Sequence, residues 1–182
     1  MMRITPCSIP DVLLFEPQVH GDARGFLYES FRQDQFEQAV GRPVAFVQDN
    51  HSKSGAGVLR GLHYQVGKPQ GKLIRVVAGS VFDVAVDLRR SSVSFGRWTG
   101  AVLSSENCRQ MWIPEGFAHG FLVLSESAEL LYKATDYWSP GNERCIAWND
   151  ARLAVEWPLS GPPVLSAKDE HGTPFSAAEL FD

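Results

Sequence analysis

The sequence contains few cysteines and no long apolar run. Only three cysteines, Cys7, Cys108 and Cys145, are scattered over 182 residues, and no two form a CxxC pair. This excludes a zinc knuckle and predicts free thiols rather than a disulfide framework. No run of about 18 apolar residues is present, so we expect no membrane-spanning helix and no membrane partner. The N-terminal residues lack the apolar segment of a signal peptide, which predicts a cytoplasmic protein.

The sequence also lacks an excess of positive charge. Seventeen Lys and Arg residues stand against 21 Asp and Glu residues, which gives a formal net charge of −4. Binding to a nucleic-acid polymer requires a basic face, so this class of partner is disfavoured. A local cluster of cationic side chains can still bind a small anion.

Linkers, repeats and low-complexity segments are absent as well. The 16 glycines and 11 prolines are spread along the whole chain. A chain of this length, with 44% hydrophobic and 21% charged residues, is typical of a folded globular protein. We therefore expect one domain over residues 1–182.

Hydrophobic patterning predicts a mostly β protein. Residues 32–40 read as a short helix that Gly41 ends. The segments 72–77 and 81–88 are separated by Ala78-Gly79-Ser80 and are predicted to pair as a hairpin. With little helix between about eight short strands, the chain favours an antiparallel sandwich or barrel. The predicted strands are 44–48, 58–65, 72–77, 81–88, 98–103, 109–113, 120–124 and 128–134.

Alternation within segment 81–88 separates two aspartates from an apolar face. Asp83 and Asp87 share one face of the strand. The other face is apolar and is predicted to face the core; it consists of Phe82, Val84, Val86 and Leu88. From the strand alone, Asp83 is expected to face solvent, the usual environment of an aspartate, with a polar cavity as the alternative.

Four cationic or titratable side chains occupy strand positions, namely Arg60, His63, Lys72 and His119. A dry core would not accommodate such a set, so it predicts a polar pocket for an anionic ligand. Arg60 and His63 are three residues apart and would point to opposite faces of a regular strand. Gly61 between them favours a bulge that turns both toward one cavity.

The chain carries only part of a metal-binding cupin motif. A metal-binding cupin has His-x-His here, but the second position is Gln65 in His63-Tyr64-Gln65. Pro114-Glu115-Gly116 followed by His119 resembles the later P-x-G-x-x-H element. Two imidazoles without a carboxylate do not complete such a site, so we expect a pocket without metal.

A pocket of this composition suits proton abstraction next to a carbonyl group. That reaction needs a base near neutral pKa, a cation for the enolate oxygen and an acid to return the proton. A histidine oriented by a carboxylate supplies the base. Lys72 and Tyr132 supply the cation and the acid. If base and acid lie on opposite faces of the carbon, its configuration inverts.

At this point a series of segments, in order, resembles the dTDP-4-dehydrorhamnose 3,5-epimerase family. They are DARGFLYESF, FVQDNHS, VLRGLHYQ, PQGKLIRVVAGSVFDVAVDLR, MWIPEGFAHGF, YKATDYWSP and LSAKDE. The resemblance implies a cupin-type jelly roll with a few short helices, a homodimer, and no metal or other cofactor. It also implies conversion of dTDP-4-dehydro-6-deoxy-D-glucose to dTDP-4-dehydro-L-rhamnose, a step toward L-rhamnose in bacterial polysaccharides.

The resemblance also implies roles for individual residues. His63 matches the proton acceptor, Asp169 its paired carboxylate, Tyr132 the proton donor, and Lys72 the cation near the C4 oxygen. Trp138 matches an aromatic ring that stacks on thymine. The remaining implied contacts with the dTDP-sugar substrate are Gln48, Asn50, Arg60, Asp83, His119, Glu143 and Lys168, together with Arg24, Phe26 and Glu29, which would reach the partner subunit's site.

Three other functions remain open from the sequence. A 3- or 5-monoepimerase of a nucleotide-linked 4-keto-6-deoxysugar would share most of these motifs. A non-catalytic sugar-nucleotide-binding cupin would bind ligand without solvent exchange, although the intact His63/Asp169 and Lys72/Tyr132 pairs argue against it. A metal-dependent cupin enzyme would need a ligand where Gln65 stands.

Overall fold

The computed structural model describes residues 2–182, in which short strands account for most of the regular structure. Two α-helices are present, α1 (Gln33–Val40) and α2 (Ala167–Glu170), and a 3₁₀ turn covers Phe175–Ala177. The strands are β1 (Arg3–Pro6), β2 (Leu13–Glu16), β3 (His20–Asp22), β4 (Gly25–Leu27), β5 (Gln48–Gly55), β6 (Leu59–Gln65), β7 (Lys72–Ala78), β8 (Ser80–Asp87), β9 (Trp98–Ser104), β10 (Gln110–Ile113), β11 (Phe117–Val123), β12 (Ser127–Ala134) and β13 (Glu143–Cys145).

Eleven of these strands form two antiparallel sheets that face each other. The larger sheet has the order β1-β2-β10-β7-β12-β5, and the smaller has the order β13-β6-β11-β8-β9. Neighbours in each sheet are mostly distant in the sequence, as in a jelly roll. The predicted fold class, a mostly β jelly roll with a few short helices, is confirmed. The strands β3 and β4 pair only with each other.

The predicted hairpin of β7 and β8 is wrong, because the two strands belong to different sheets. β7 pairs with β10 and β12, whereas β8 pairs with β9 and β11. Gly79 between them has a φ of +73°, and a Cβ there would lie 2.0 Å from the Ser127 carbonyl oxygen. This tight corner carries the chain from one sheet to the other. Short loop length alone could not distinguish such a corner from a hairpin turn.

The predicted strand over 44–48 is also wrong, since residues 43–47 have no regular structure and β5 begins at Gln48. β5 runs through polar residues that had suggested a turn, because it is an edge strand whose only strand partner is β12. The helix prediction is confirmed. α1 ends at Gly41, whose φ of +77° and backbone hydrogen bond to the Glu37 carbonyl close the last turn.

Strand β8 is buried on both faces. Val81 and Ala85 pack with residues of both sheets in the interior of the sandwich. Val84 and Val86 pack in a second core, beneath the C-terminal segment that contributes Trp157 and others. Asp83 lies on the interior face and is 0% exposed, so the expectation that it faces solvent is wrong.

The predictions of free thiols and of no membrane-spanning helix can also be compared with the structure. Cys7, Cys108 and Cys145 are all free thiols, as predicted. Within the part of the chain that the structure describes, no helix is long and apolar enough to cross a membrane.

Candidate active site

A cavity of about 360 Å³ opens between the two sheets. β6 and β11 of the smaller sheet supply one wall, and β5, β7 and β12 of the larger sheet supply the other. Ten of the residues singled out in the sequence line it. They are Gln48, Asn50, Arg60, His63, Lys72, His119, Tyr132, Trp138, Glu143 and Lys168.

A bulge in β6 brings Arg60 and His63 to the same wall, as predicted. His119 and Phe121 of β11 are two residues apart, but their partners in β6, His63 and Arg60, are three residues apart. β6 therefore contains one extra residue at this point. Gly61 absorbs the extra residue with a φ of +125°, and a Cβ there would lie 2.6 Å from the Gly120 Cα. Only glycine fits this close approach of the two backbones.

His63 forms a hydrogen-bonded pair with Asp169. The His63 Nε2 lies 2.6 Å from the Asp169 Oδ1, and Asp169 is 3% exposed. The Gly61 N–H donates to Oδ1 at 3.1 Å, and the Ser166 hydroxyl donates to Oδ2 at 2.6 Å. Ser166 is also the N-cap of α2, which fixes the position of Asp169 within that helix. The carboxylate is therefore held from three sides.

These contacts determine the protonation of the pair. Burial alone would raise the pKa of Asp169, but the hydrogen bonds from His63, Ser166 and Gly61 outweigh it and lower that pKa to about 2. Asp169 is thus ionised, and the His63 Nε2 carries the proton that it donates to the carboxylate. The pKa of His63 is lowered, because burial disfavours the imidazolium more than Asp169 favours it. Neutral His63 therefore presents Nδ1 as its basic nitrogen.

Lys72 lies in the cavity wall on β7. Burial lowers its pKa to about 8, although Asp83 and Glu143 favour its charged form. The side chain is therefore a poorly solvated ammonium group near neutral pH. An anionic oxygen placed beside it gains a stronger electrostatic interaction than at the surface, because water screens the pair less in the cavity.

Tyr132 lines the cavity from β12, in the sheet opposite His63. Burial raises its pKa, with a smaller opposing effect from Arg60. The phenol therefore keeps its proton at neutral pH and can donate it. His63 and Tyr132 thus come from different sheets and face a common cavity.

Asp83 lies behind His119 rather than among the residues that line the cavity. The His119 Nε2 is 3.0 Å from both carboxylate oxygens of Asp83, which is completely buried. This second His–Asp pair adjoins the first, because His119 is the cross-strand partner of His63. Asp83 therefore orients His119 and supports the charge of Lys72.

The mouth of the cavity carries an aromatic ring and an ion pair. Trp138 is 54% exposed, and its backbone N–H donates to the Gln48 Oε1 at 2.9 Å. Lys168 and Glu143 are joined by a 3.0 Å ion pair. An exposed aromatic ring and charged side chains at the mouth can contact the aromatic and charged groups of an extended ligand.

Gln65 takes a structural position in place of the missing metal ligand. Its side-chain amide donates to the carbonyls of Lys68 and Tyr137 and accepts from the Ser139 N–H. These bonds tie β6 to the loop that carries Trp138. The sequence indicated only that Gln65 is a poor metal ligand, and did not predict this structural role.

The structure does offer a group of metal-ligating atoms at the dyad. Donor atoms of His63, Cys145 and Asp169 lie within 4.8 Å of one another. However, two donors on one tetrahedral Zn²⁺ lie roughly 3.3 Å apart, given Zn–N and Zn–O bonds of about 2.0–2.1 Å. The 2.6 Å between the His63 Nε2 and the Asp169 Oδ1 is shorter. Burial and the nearby Asp169 also raise the pKa of Cys145 to about 12. The geometry fits a hydrogen-bonded dyad better than a metal centre.

Arg24, Phe26 and Glu29 do not line this cavity. Arg24 lies in the turn between β3 and β4 and pairs with Asp22. Phe26 in β4 is 66% exposed, and Glu29 is exposed just beyond this hairpin. In one chain these three residues therefore have no contact with the site, as expected if they act on a partner subunit.

Three cavity residues were missed in the sequence, namely Ser52, Gln70 and Phe121. Ser52 follows Gln48 and Asn50 at two-residue spacing on the inward face of β5. Recognition of β5 as a strand would have identified it. Gln70 and Phe121 carry no comparable signal.

The comparisons with known proteins agree with this geometry. The family model for dTDP-4-dehydrorhamnose 3,5-epimerase matches residues 6–177. A dTDP-4-dehydrorhamnose 3,5-epimerase of Pseudomonas aeruginosa is 62% identical over 180 residues, which cover 99% of each chain. An epimerase of the same kind from Legionella pneumophila, solved in complex with dTDP-4-keto-L-rhamnose, has a TM-score of 0.96 and 50% identity. That match covers 98% of this chain and 95% of the other.

A protein with narrower stereochemistry has a similar fold. A 3'-monoepimerase from Streptomyces bikiniensis, in complex with dTDP-quinovose, has a TM-score of 0.87 and 34% identity. That match covers 94% of this chain and 87% of the other. The fold alone therefore does not separate the two activities. The 3,5-epimerase of Pseudomonas aeruginosa is 62% identical, but that of Mycobacterium tuberculosis is 38% identical, close to the 34% of this monoepimerase.

Proposed function

The chain belongs to the dTDP-4-dehydrorhamnose 3,5-epimerase family, and on this premise we propose how its residues carry out the reaction. The enzyme is an isomerase that epimerises C3 and C5 of dTDP-4-dehydro-6-deoxy-D-glucose and yields dTDP-4-dehydro-L-rhamnose, in the biosynthesis of dTDP-L-rhamnose. The C4 ketone of this substrate acidifies the hydrogens on both neighbouring carbons. Each inversion then proceeds through an enolate.

His63 is the base in this proposal. Its Nδ1 takes the proton from the carbon next to the ketone, and the resulting imidazolium is stabilised by ionised Asp169 at Nε2. The lowered pKa of free His63 keeps the base unprotonated at neutral pH. A positioned general base of this kind contributes about 10²- to 10⁴-fold to the rate.

Lys72 stabilises the enolate oxygen. Its partly buried ammonium group lies in the wall of the same cavity as His63. Negative charge develops on the C4 oxygen only as the proton leaves, so this interaction is stronger in the transition state than in the ground state. Lys72 thereby lowers the barrier rather than merely binding the substrate.

Tyr132 returns a proton from the face opposite His63, and this arrangement carries the proposal. His63 belongs to the smaller sheet and Tyr132 to the larger one, and both line the cavity between the sheets. A planar enolate held there is deprotonated from one side and reprotonated from the other, which inverts the carbon. We assign Tyr132 to C5, and water or another donor to C3.

The dTDP moiety occupies the outer part of the cavity. Arg60 and Lys168 pair with the diphosphate, and Trp138 stacks on thymine. Gln48, Asn50, His119 and Glu143 contact the remaining polar groups of the ligand. Their positions in one cavity of about 360 Å³ support this assignment.

The second subunit of a homodimer completes the site. The hairpin of β3 and β4 pairs with neither large sheet, and it exposes Phe26 and Leu27, the latter by 75%. Adjacent exposed apolar side chains of this kind are typical of an interface. We assign Arg24, Phe26 and Glu29 to the partner subunit's cavity, where they add to the binding of the nucleotide.

Incubation of the substrate in heavy water tests the proposed chemistry. The wild-type enzyme should introduce deuterium at both C3 and C5, as followed by NMR. His63→Ala should lose nearly all of this exchange. Tyr132→Phe should retain exchange but fail to invert C5, because deprotonation does not need the phenol.

The same experiment separates the alternative functions. A non-catalytic binding protein would introduce no deuterium, and a monoepimerase would invert only one of the two carbons. Either result with the wild-type enzyme would contradict the proposal.

A further inference from the structure

The inward face of β5 carries four polar side chains, and three of them have hydrogen-bond partners. Gln48 donates to Asn50 at 3.1 Å, and the Ser54 hydroxyl accepts from the Arg60 Nε at 3.0 Å. Ser52 lies between Asn50 and Ser54 on this face. Its Oγ is the one buried side-chain oxygen or nitrogen atom in residues 2–182 that lacks a partner. A buried hydroxyl without a partner is unfavourable, so the position calls for an explanation.

The surroundings of this hydroxyl point to a ligand. Ser52 lines the same cavity as His63, Lys72 and Tyr132. Ser52 pairs across the strands with Leu130. Asn50, the preceding inward-facing residue of β5, pairs with Tyr132, so Ser52 lies close to the proposed acid. Leu130 itself is buried in the core and provides no polar partner.

We propose that the Ser52 hydroxyl binds the sugar ring of the substrate, which deepens and rests on the proposed function. A hydroxyl is both donor and acceptor, so it complements the hydroxyl and carbonyl oxygens of a 4-keto sugar. The assignment is to the sugar rather than the nucleotide, because the Oγ is buried whereas the thymine-stacking candidate Trp138 lies at the exposed mouth. Ser52 is thus a substrate-binding residue that helps to fix the ring between His63 and Tyr132.

The test compares Ser52→Ala with a matched variant, Ser54→Ala, on the same face of β5. Ser52→Ala should lower kcat/KM by about fivefold, the effect of losing one neutral hydrogen bond. It should also weaken binding of dTDP-glucose, a sugar nucleotide that cannot form the enolate, but leave the affinity for dTDP unchanged. Calorimetry with the two ligands measures this difference.

Thermal unfolding of the free enzyme supplies an independent measurement. Ser52→Ala should leave the Tm unchanged or raise it, because the hydroxyl has no partner to lose. Ser54→Ala should lower the Tm, because Arg60 would lose its acceptor.

Each result decides the proposal. Unchanged kinetics and unchanged dTDP-glucose affinity in Ser52→Ala would overturn it, as would a fall in Tm equal to that of Ser54→Ala. Equal losses of dTDP and dTDP-glucose affinity would place the contact at the nucleotide and also overturn it. If the wild-type enzyme showed no deuterium exchange, the proposed function would fail, but the two binding affinities would still test Ser52.

Discussion

The chemistry of single side chains in the cavity depends on which groups are removed from water. His63 and Lys72 are both bases whose pKa burial lowers, the latter to about 8. Tyr132 is an acid whose pKa burial raises. Near neutral pH each group is therefore in the form that the enolate mechanism requires, namely a neutral imidazole, an ammonium and a phenol.

The pH dependence of kcat/KM follows from these shifts. The rate constant should rise as the pH increases through the pKa of His63, which lies below the usual 6.5, because the base must lose its proton. It should fall as the pH rises through about 8, because Lys72 then loses the ammonium that stabilises the enolate. A steady-state profile of kcat/KM measures both groups in the free enzyme. An alkaline limb near the ordinary pKa of lysine would contradict this role of Lys72.

Gln65 offers a second test at the residue scale. Its amide joins β6 to the loop that carries Trp138. Gln65→Met preserves the approximate shape but leaves two carbonyls and one N–H without partners, so we expect a loss of about 2–3 kcal/mol of stability. KM should rise more than kcat falls, since the loop belongs to the nucleotide end. Denaturant unfolding and steady-state kinetics measure the two effects, and a fall in kcat alone would contradict this positioning role.

At the scale of elements, the bulge in β6 decides what the cavity contains. Without the extra residue at Gly61, Arg60 and His63 would point to opposite sides of the strand, one toward the cavity and one toward the second core. Leu59 and Leu62, also three residues apart, both reach that second core, so the same irregularity serves both faces. The position of His63, the proposed base, therefore depends on one glycine.

Gly61→Ala should displace β6 from β11 and reduce both activity and stability. Its Cβ would lie 2.8 Å from the His119 carbonyl oxygen and closer still to the Gly120 Cα. We expect a loss of about 1–3 kcal/mol from overpacking, and a larger loss of kcat because His63 moves. Gly55→Ala on β5 is the matched control, since its Cβ would meet nothing within 4 Å and its φ is not positive. Equal effects of the two substitutions would show that the close approach is unimportant.

At the scale of the whole molecule, the proposed base and acid come from two opposite sheets that line one cavity. His63 and His119 come from the smaller sheet, and Lys72 and Tyr132 come from the larger one. These residues are brought together by pairings between strands that are distant in the sequence. In the proposed mechanism, inversion of configuration therefore depends on the two-sheet sandwich rather than on any one strand.

The proposed dimer can be tested at low substrate concentration by mixing Arg24→Ala, which should bind the substrate weakly, with inactive His63→Ala. If Arg24 acts across the interface, a mixed dimer has one site with both native residues and one site with neither. Random exchange makes half of the dimers mixed, so about a quarter of wild-type activity should return. The activity of a refolded equimolar mixture measures this recovery, and size-exclusion chromatography measures the dimer. No recovery would show that each subunit uses its own Arg24.

Much of this molecule was predictable from its sequence, because local patterns report local causes. Alternating apolar residues predicted most of the central strands, Gly41 predicted the end of α1, and Gly61 predicted the bulge in β6. Motifs that resemble a known family predicted the residues that line the cavity. The strands, the helix end and the bulge each depend on a few residues that are neighbours in the sequence, so the sequence could predict them.

Only the tertiary structure decided the features that depend on distant partners. The alternation of its strand alone predicted that Asp83 faces solvent, and the family resemblance predicted a substrate contact, but packing buries Asp83 behind His119. Gly79 looked like a hairpin turn until β7 and β8 proved to lie in different sheets. β5 looked too polar to be a strand. It forms a strand because it pairs with β12, and its polar side chains line the cavity. Burial and strand pairing are set by residues far along the chain, so no local pattern contains them. The few cysteines and the absence of a long apolar run argued against a disulfide framework and a membrane-spanning helix. The packing of the two sheets determined where the cavity lies and which side chains line it.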